Sequence, residues 1–292
     1  MKAYIFPGQG SQFVGMGREL YKKNIGRKLF DQSDEILGFK ISKIMFDGEK
    51  EDLKKTEVTQ PSIFIFSVII SKLLKGSFQP NAVAGHSLGE FSALVAAGGI
   101  SFSEGLLLVK KRAEAMQKAC DLKKGTMAAI IGINDDHVKS ICDKTYGVVV
   151  AANFNCPGQV VISGELNAVQ NACNVLIKEG ARKALILSVG GAFHSPLMAP
   201  AKNELEKAIN STSFKKPICP VYQNFNSFSE TDPELIKENL INQLTSPVNW
   251  RQTIINMVSD GLTKFIETGP GNVLQGLNKK ININIETVQA EI

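Results

Sequence analysis

The pentapeptide Gly85-His86-Ser87-Leu88-Gly89 sets a serine between two glycines. A short apolar run, Ala82-Val83-Ala84, precedes it, and a run of helix formers, Glu90 to Ala97, follows. That is the layout of a nucleophile elbow, a sharp strand-to-helix turn that small flanking residues permit. The serine oxygen then projects at a helix N-terminus, where unpaired N–H groups favour developing negative charge. A turn with a merely capping serine does not need glycine on both sides, so the nucleophile reading is preferred. A serine hydroxyl needs a base at neutral pH, and the chain has 3 histidines. His86 adjoins Ser87, and successive strand residues face opposite ways, so it is poorly placed to take the Ser87 proton. His137 lies on a polar helix start, Asn134-Asp135-Asp136, and reads as a solvated residue. His194 sits in Gly190-Gly191-Ala192-Phe193-His194-Ser195-Pro196, on a loop just after a strand. α/β folds place catalytic groups there, and His194 is the expected base.

A Ser-His-Asp triad in this chain order would take its aspartate from Asp121, Asp135, Asp136 or Asp143. None of them falls on a loop after a main-sheet strand, so a Ser–His dyad is expected. Arg112 lies at the edge of an apolar helical stripe made by Leu106, Val109, Ala113 and Met116. Read from the helix alone, its stem covers the core and its head stays in water. If it enters the cleft instead, its planar fork suits a carboxylate. Gly8-Gln9-Gly10 follows the first strand directly, and neither GxGxxG nor GxxxxGK[ST] occurs there. A tight turn fits better, bringing the main-chain N–H groups of Gln9 and Leu88 together as an oxyanion hole.

The elements that must hold these residues alternate between strand-like and helix-like, which points to a parallel α/β sheet. Lys2 to Phe6 reads as the first strand, and Pro61 as the first residue of an apolar helix through Leu74. The elbow strand and helix follow, ended by Gly98-Gly99, and then a helix from Ser103 to Cys120. Between Thr126 and Val189 the rhythm changes. Strands are expected at Thr126–Ile131, Val148–Ala152, Gln159–Ser163 and Ala184–Val189, with helices at Asp135–Lys144 and Leu166–Glu179. That β-α-β-β-α-β order is the ferredoxin-like signature. The expected domains are therefore a core of residues 1–124 and 190–292 and a subdomain of residues 125–189. Ile218–Gln223 and Lys264–Glu267 read as further core strands, and Gly269-Pro270-Gly271 precedes a last helix.

Composition sets the outer limits. The 292 residues are 43% hydrophobic and 21% charged, an ordinary globular balance. The N-terminus lacks the apolar region of a signal peptide, and the most apolar segment, Ile63 to Ile70, is too short to span a bilayer. A cytoplasmic protein without membrane contact is expected. The 5 cysteines include no CxxC pair, which argues against a disulfide framework and against a zinc site. The net charge of +5 is spread along the chain without a nucleic-acid motif, so nucleic acid is not an expected partner. A weakly basic surface suits an acidic partner.

Taken together, these residues resemble the malonyl-CoA:acyl carrier protein transacylases of fatty-acid synthesis and the related acyltransferase domains of polyketide synthases. The resemblance is carried by FPGQGSQ at Phe6 to Gln12, GHSLGE at Gly85 to Glu90 and RAEAMQ at Arg112 to Gln117. It continues in NFNCPGQVVISG at Asn153 to Gly164, GAFHSPLM at Gly191 to Met198, QLTSPVNW at Gln243 to Trp250 and ETGPG at Glu267 to Gly271. It implies that Ser87 is acylated, that His194 is its base, and that Gln9 and Leu88 supply the oxyanion donors. It also implies that Arg112 binds the malonyl carboxylate and that the main-chain carbonyl of Gln243 orients the histidine. Met116, Phe193 and Asn155 are implied as substrate-binding residues, with Phe193 favouring malonyl over methylmalonyl groups. The implied fold is an α/β-hydrolase-like core with an inserted ferredoxin-like subdomain. The implied partners are malonyl-CoA, as a substrate, and acyl carrier protein, with no cofactor and no metal. Two other readings use the same residues: a serine hydrolase or thioesterase acting on acyl thioesters, and a non-catalytic carrier-protein docking subunit. A cation buried in the pocket argues against a lipase, and retention of both Ser87 and His194 argues against a docking subunit.

Overall fold

Short apolar runs become the strands of a central sheet. In the computed structural model, which describes residues 1–292, β1 (Lys2–Phe6) and β2 (Ala82–Gly85) pair in parallel, Ala3 opposite Ala82 and Phe6 opposite Gly85. Both are buried almost throughout, as a parallel sheet covered by helices requires. A second sheet is made by β3 (Gly125–Ile131), β4 (Val149–Cys156), β5 (Gln159–Glu165) and β6 (Lys183–Ile186). The central sheet resumes with β7 (Val221–Tyr222), β8 (Ser229–Glu230), β9 (Lys264–Glu267) and β10 (Glu286–Gln289). Its order is β10-β9-β1-β2-β7-β8, parallel except for β8. β1 and β2 therefore lie in the middle. Their C-terminal ends deliver the Pro7–Gln9 loop and the Ser87 turn side by side, where open α/β sheets place their sites.

The second sheet runs β4-β5-β3-β6 and is antiparallel throughout. With helices Asp135–Lys144 and Leu166–Lys178 it is the ferredoxin-like arrangement expected from the strand and helix order. It has a core of its own, 14 buried residues all between Ala128 and Ala181. It is also stitched to the main sheet's side of the molecule. Phe154 N–H donates to the Val248 carbonyl and Val248 N–H to the Ala152 carbonyl, both at 2.9 Å, and Arg251 pairs with Asp135 at 2.5 Å.

Several element boundaries differ from expectation, each for a local reason. Pro61 is not the first helical residue: the helix runs Thr56–Leu73 with Pro61 inside it. Burial of Val58, Thr59 and Gln60 extends the helix upstream, and the proline forfeits only the main-chain bond to the Glu57 carbonyl. The expected strand Ile218–Gln223 shrinks to Val221–Tyr222, because Pro220 has no N–H for a ladder and Ile218 is left exposed. β4 runs on to Cys156 through two irregularities of register, at Ala151/Asn153 and Phe154/Cys156, which re-aim its far end. β6 ends at Ile186, although Leu187 N–H still bonds the Met127 carbonyl of β3, and Leu187 to Val189 border the cleft. The last helix, Val273–Ile281, is followed by β10 at the sheet edge. All five cysteines are buried and unpaired, and no helix is long and apolar enough to cross a membrane.

Candidate active site

The elbow is built by close packing. A Cβ at Gly85 would overlap the main chain of Gly89 and Glu90, and one at Gly89 would overlap the Phe6 carbonyl. Larger residues would lift the elbow helix, Gly89–Ala96, off β1 and β2. Ser87 itself adopts φ 52, the left-handed region that a non-glycine residue enters only at a cost of about 1–3 kcal/mol. Asn224 holds it there. Its Oδ1 accepts from the Ser87 N–H at 2.6 Å, and its Nδ2 donates to the Gly85 carbonyl at 2.7 Å.

His194 reaches the same point from the other side of the cleft. Its Nε2 lies 2.8 Å from Ser87 Oγ, and its Nδ1 lies 3.0 Å from the Gln243 carbonyl oxygen. A carbonyl only accepts, so Nδ1 carries the proton and Nε2 offers a lone pair to the Ser87 O–H. Burial, and then the nearby Arg112 cation, lower His194 to about 3. The imidazole is therefore neutral and able to accept a proton far below its ordinary range. Reaction of Ser87 with an organophosphonate reagent should accordingly keep its rate as the pH falls through 6.5, the ordinary histidine value. A loss of rate centred there, read from a pH series of inactivation rates, would mean a solvated histidine. No aspartate is bonded to His194: Asp121, Asp136 and Asp143 are exposed, and Asp135 is engaged by Arg251.

Arg112 departs from the reading that leaves its head in water. It is 1% exposed, and the whole side chain lies beneath the elbow. NH1 donates to Gln60 Oε1 at 2.7 Å, and NH2 donates to Ser87 Oγ at 3.0 Å and to Gln243 Oε1 at 3.2 Å. Burial draws the guanidinium down to about 10, which leaves it charged at neutral pH. Its Nε has no partner, so one buried donor is still open. A helical stripe cannot reveal this, since the acceptors come from residues 52 and 131 positions away.

These groups line a cleft of about 380 Å³. Gln9, Leu88, Met116, Phe193 and Asn155 all border it. The N–H groups of Gln9 and Leu88 donate to no acceptor within the chain. Gly8 brings Gln9 this close, because a Cβ there would overlap the His86 carbonyl. Asn155 does not touch the reacting pair. Its Oδ1 lies 2.8 Å from His86 Nε2, which ties β4 to the end of β2. His137 is remote, on the subdomain surface beside Glu179. No group of three or more His, Cys, Asp or Glu side chains could hold a metal ion.

A family model described as "Acyl transferase domain" matches residues 3–287. The chain belongs to the acyl transferase domain family. A malonyl CoA-acyl carrier protein transacylase of Bacillus subtilis is 43% identical over 291 residues, covering 98% of this chain and 92% of the relative. The crystal structure of an acyl carrier protein S-malonyltransferase from Vibrio cholerae superposes with a TM-score of 0.94 at 43% identity, over 99% of this chain and 96% of that one. A malonyl-transacylase solved with a type II PKS acyl-carrier protein superposes at 0.95 with 36% identity, over 100% and 95%.

Three residues of this acyl transferase's site are not singled out by sequence reasoning: Gln60, Asn224 and Glu90. Gln60 and Asn224 carry no local signal, being single amides on distant segments. Glu90 did carry one. It is a charged residue in the elbow helix followed by Phe91-Ser92-Ala93-Leu94-Val95, all buried, and such a carboxylate must be partnered.

Proposed function

We propose that this acyl transferase moves a malonyl group from malonyl-CoA to the phosphopantetheine thiol of acyl carrier protein, through a malonyl ester on Ser87, in fatty-acid biosynthesis. One observation carries the reading: Ser87 Oγ lies within hydrogen-bond distance of both a neutral base, His194, and a buried cation, Arg112. His194 Nε2 takes the Ser87 proton as Oγ attacks the thioester carbon. The oxyanion is held by the N–H groups of Gln9 and Leu88. The C–S bond breaks, and the CoA sulfur leaves with the proton from Nε2. The carrier thiol then repeats the sequence in reverse and frees Ser87. Protein groups and the two thiols account for every proton, and malonyl-CoA enters as a substrate. Met116 and Phe193 shape the acyl pocket, and Asn155 acts through His86. Residues 125–189 are read as a unit inserted into a core of residues 1–124 and 190–292, supported by their separate hydrophobic core. The site of action is the cytoplasm.

The test is to incubate the protein with malonyl-CoA, measure its intact mass, and then add holo acyl carrier protein. The mass increase should appear and then pass to the carrier. Release of free malonate with no loaded carrier would make the protein a thioesterase instead.

Arg112 should set selectivity. A charge-assisted bond from Arg112 to the malonyl carboxylate is worth about 1.5–3 kcal/mol. Arg112→Ala should therefore lose roughly ten-fold or more in malonyl transfer, while acetyl transfer holds or rises. Initial rates with the two donors decide this. An equal loss for both would give Arg112 a structural role only.

A further inference from the structure

Glu90 is the third residue after Ser87 and is 1% exposed. A carboxylate in such surroundings is costly unless both oxygens are partnered. Here each oxygen serves a different half of the reacting pair. Oε1 accepts from the Asn224 main-chain N–H, and Oε2 accepts from Gln243 Nε2. Asn224 is the residue whose side chain holds the Ser87 N–H and the Gly85 carbonyl. Gln243 is the residue whose main-chain carbonyl holds His194 Nδ1, and its Nε2 also donates to the Ser87 carbonyl at 3.0 Å. The bonds that orient the nucleophile and those that orient the base thus converge on one carboxylate. Arg112 faces it from the helix Phe102–Leu122. Burial pulls Glu90 toward its neutral form, while an N–H donor on each oxygen and the Arg112 cation favour the carboxylate that can accept at both.

We propose that Glu90 is a positioning residue for acyl transfer, setting the relative placement of Ser87 and His194 through Asn224 and Gln243. The inference rests on the malonyl-transfer reading above. It separates Glu90 from ordinary core packing, because a packing residue affects how much protein folds and not the rate of each folded molecule.

Glu90→Gln isolates the effect. The substituted amide has nearly the same shape but only one accepting atom for two donors, so either the Asn224 N–H or Gln243 Nε2 meets another N–H. Gln243 cannot relieve this by turning its amide over, since its Oε1 already accepts from Arg112. A displacement of about 1 Å at the reacting centre costs on the order of 10²-fold. Steady-state transfer should show that loss in kcat for malonyl and acetyl donors alike, with KM for malonyl-CoA within about three-fold of wild type. Rates are taken per mole of protein that unfolds cooperatively on heating. In a His194→Ala background, where there is no base left to place, Glu90→Gln should cost less than about three-fold. Glu90→Asp, too short to reach both partners, carries the same expectation and stands in if Glu90→Gln does not fold.

A kcat within about three-fold of wild type overturns the proposal. So does a loss confined to KM for malonyl-CoA, which would make Glu90 a partner of Arg112 alone. An undiminished loss in the His194→Ala background overturns it too, as a structural effect. Wild-type protein that takes up no malonyl group removes the parent reading and this one together. An active wild type with an equally active Glu90→Gln removes this one only.

Discussion

Replacing Ser87 by alanine should abolish malonyl transfer, with a loss on the order of 10⁴-fold or more. The expectation rests on geometry. No other hydroxyl or thiol is bonded to His194 Nε2, and the cysteines are buried, Cys120 being pushed up to about 11 by burial. Alanine occupies the same left-handed backbone position at about the same cost as serine, and the Asn224 side chain bonds only main-chain atoms of the elbow. The variant should therefore fold. Arg112 NH2 loses one acceptor but keeps Gln243 Oε1. Malonyl-CoA should give a covalent mass increase on the wild-type protein and none on Ser87→Ala. Peptide mapping that finds the adduct on another residue would refute the serine-ester mechanism.

The second large effect is expected at His194, and its contrast with the aspartates carries the argument. His194→Ala should lose on the order of 10³-fold or more in turnover. Asp121→Asn, Asp136→Asn and Asp143→Asn should each stay within about three-fold of wild type, because all three side chains are exposed. Asp135→Asn removes the ion pair to Arg251 and should appear in thermal stability rather than in rate. A main-chain carbonyl orients an imidazole but stabilises its charged form less than a buried carboxylate does. That suffices when the leaving group is a thiol, which needs less acid assistance than an amine. A 10³-fold loss from any one aspartate change would show a triad in the working enzyme.

The parts legible in the sequence were those whose chemistry is local. Ser87 announces itself by two glycines and by the change from apolar strand to helix. His194 follows by elimination among three candidates. The β-α-β-β-α-β rhythm of residues 125–189 needs only neighbouring periodicities, and β3 to β6 appear where that rhythm puts them, with ends shifted by a few residues. What stayed hidden is long-range. Arg112 reads as a surface arginine until Gln60, Ser87 and Gln243 are brought around it. The shortened strand at Val221–Tyr222 reflects Pro220 and the burial given up by Ile218, a balance that an apolar run does not reveal. Asn224 has no sequence signal at all, because its importance lies in closing two bonds to a turn 137 and 139 residues earlier.

The central sheet assigns its two middle strands to the beginning of the chain and the neighbours of β1 to opposite ends of it. β1 finds β2 at once, but its other edge is completed only by β9, more than 250 residues later. In between, residues 125–189 can close a whole antiparallel sheet from contacts among themselves. During synthesis, residues 125–189 should therefore close their sheet first, while one edge of β1 still lacks its partner strand β9. A nascent chain halted near residue 190 holds Ser87 without the base, without the Gln243 carbonyl and without a finished sheet. The base, its orienting carbonyl and the strand that covers the open edge, His194, Gln243 and β9, all lie beyond that point in the chain.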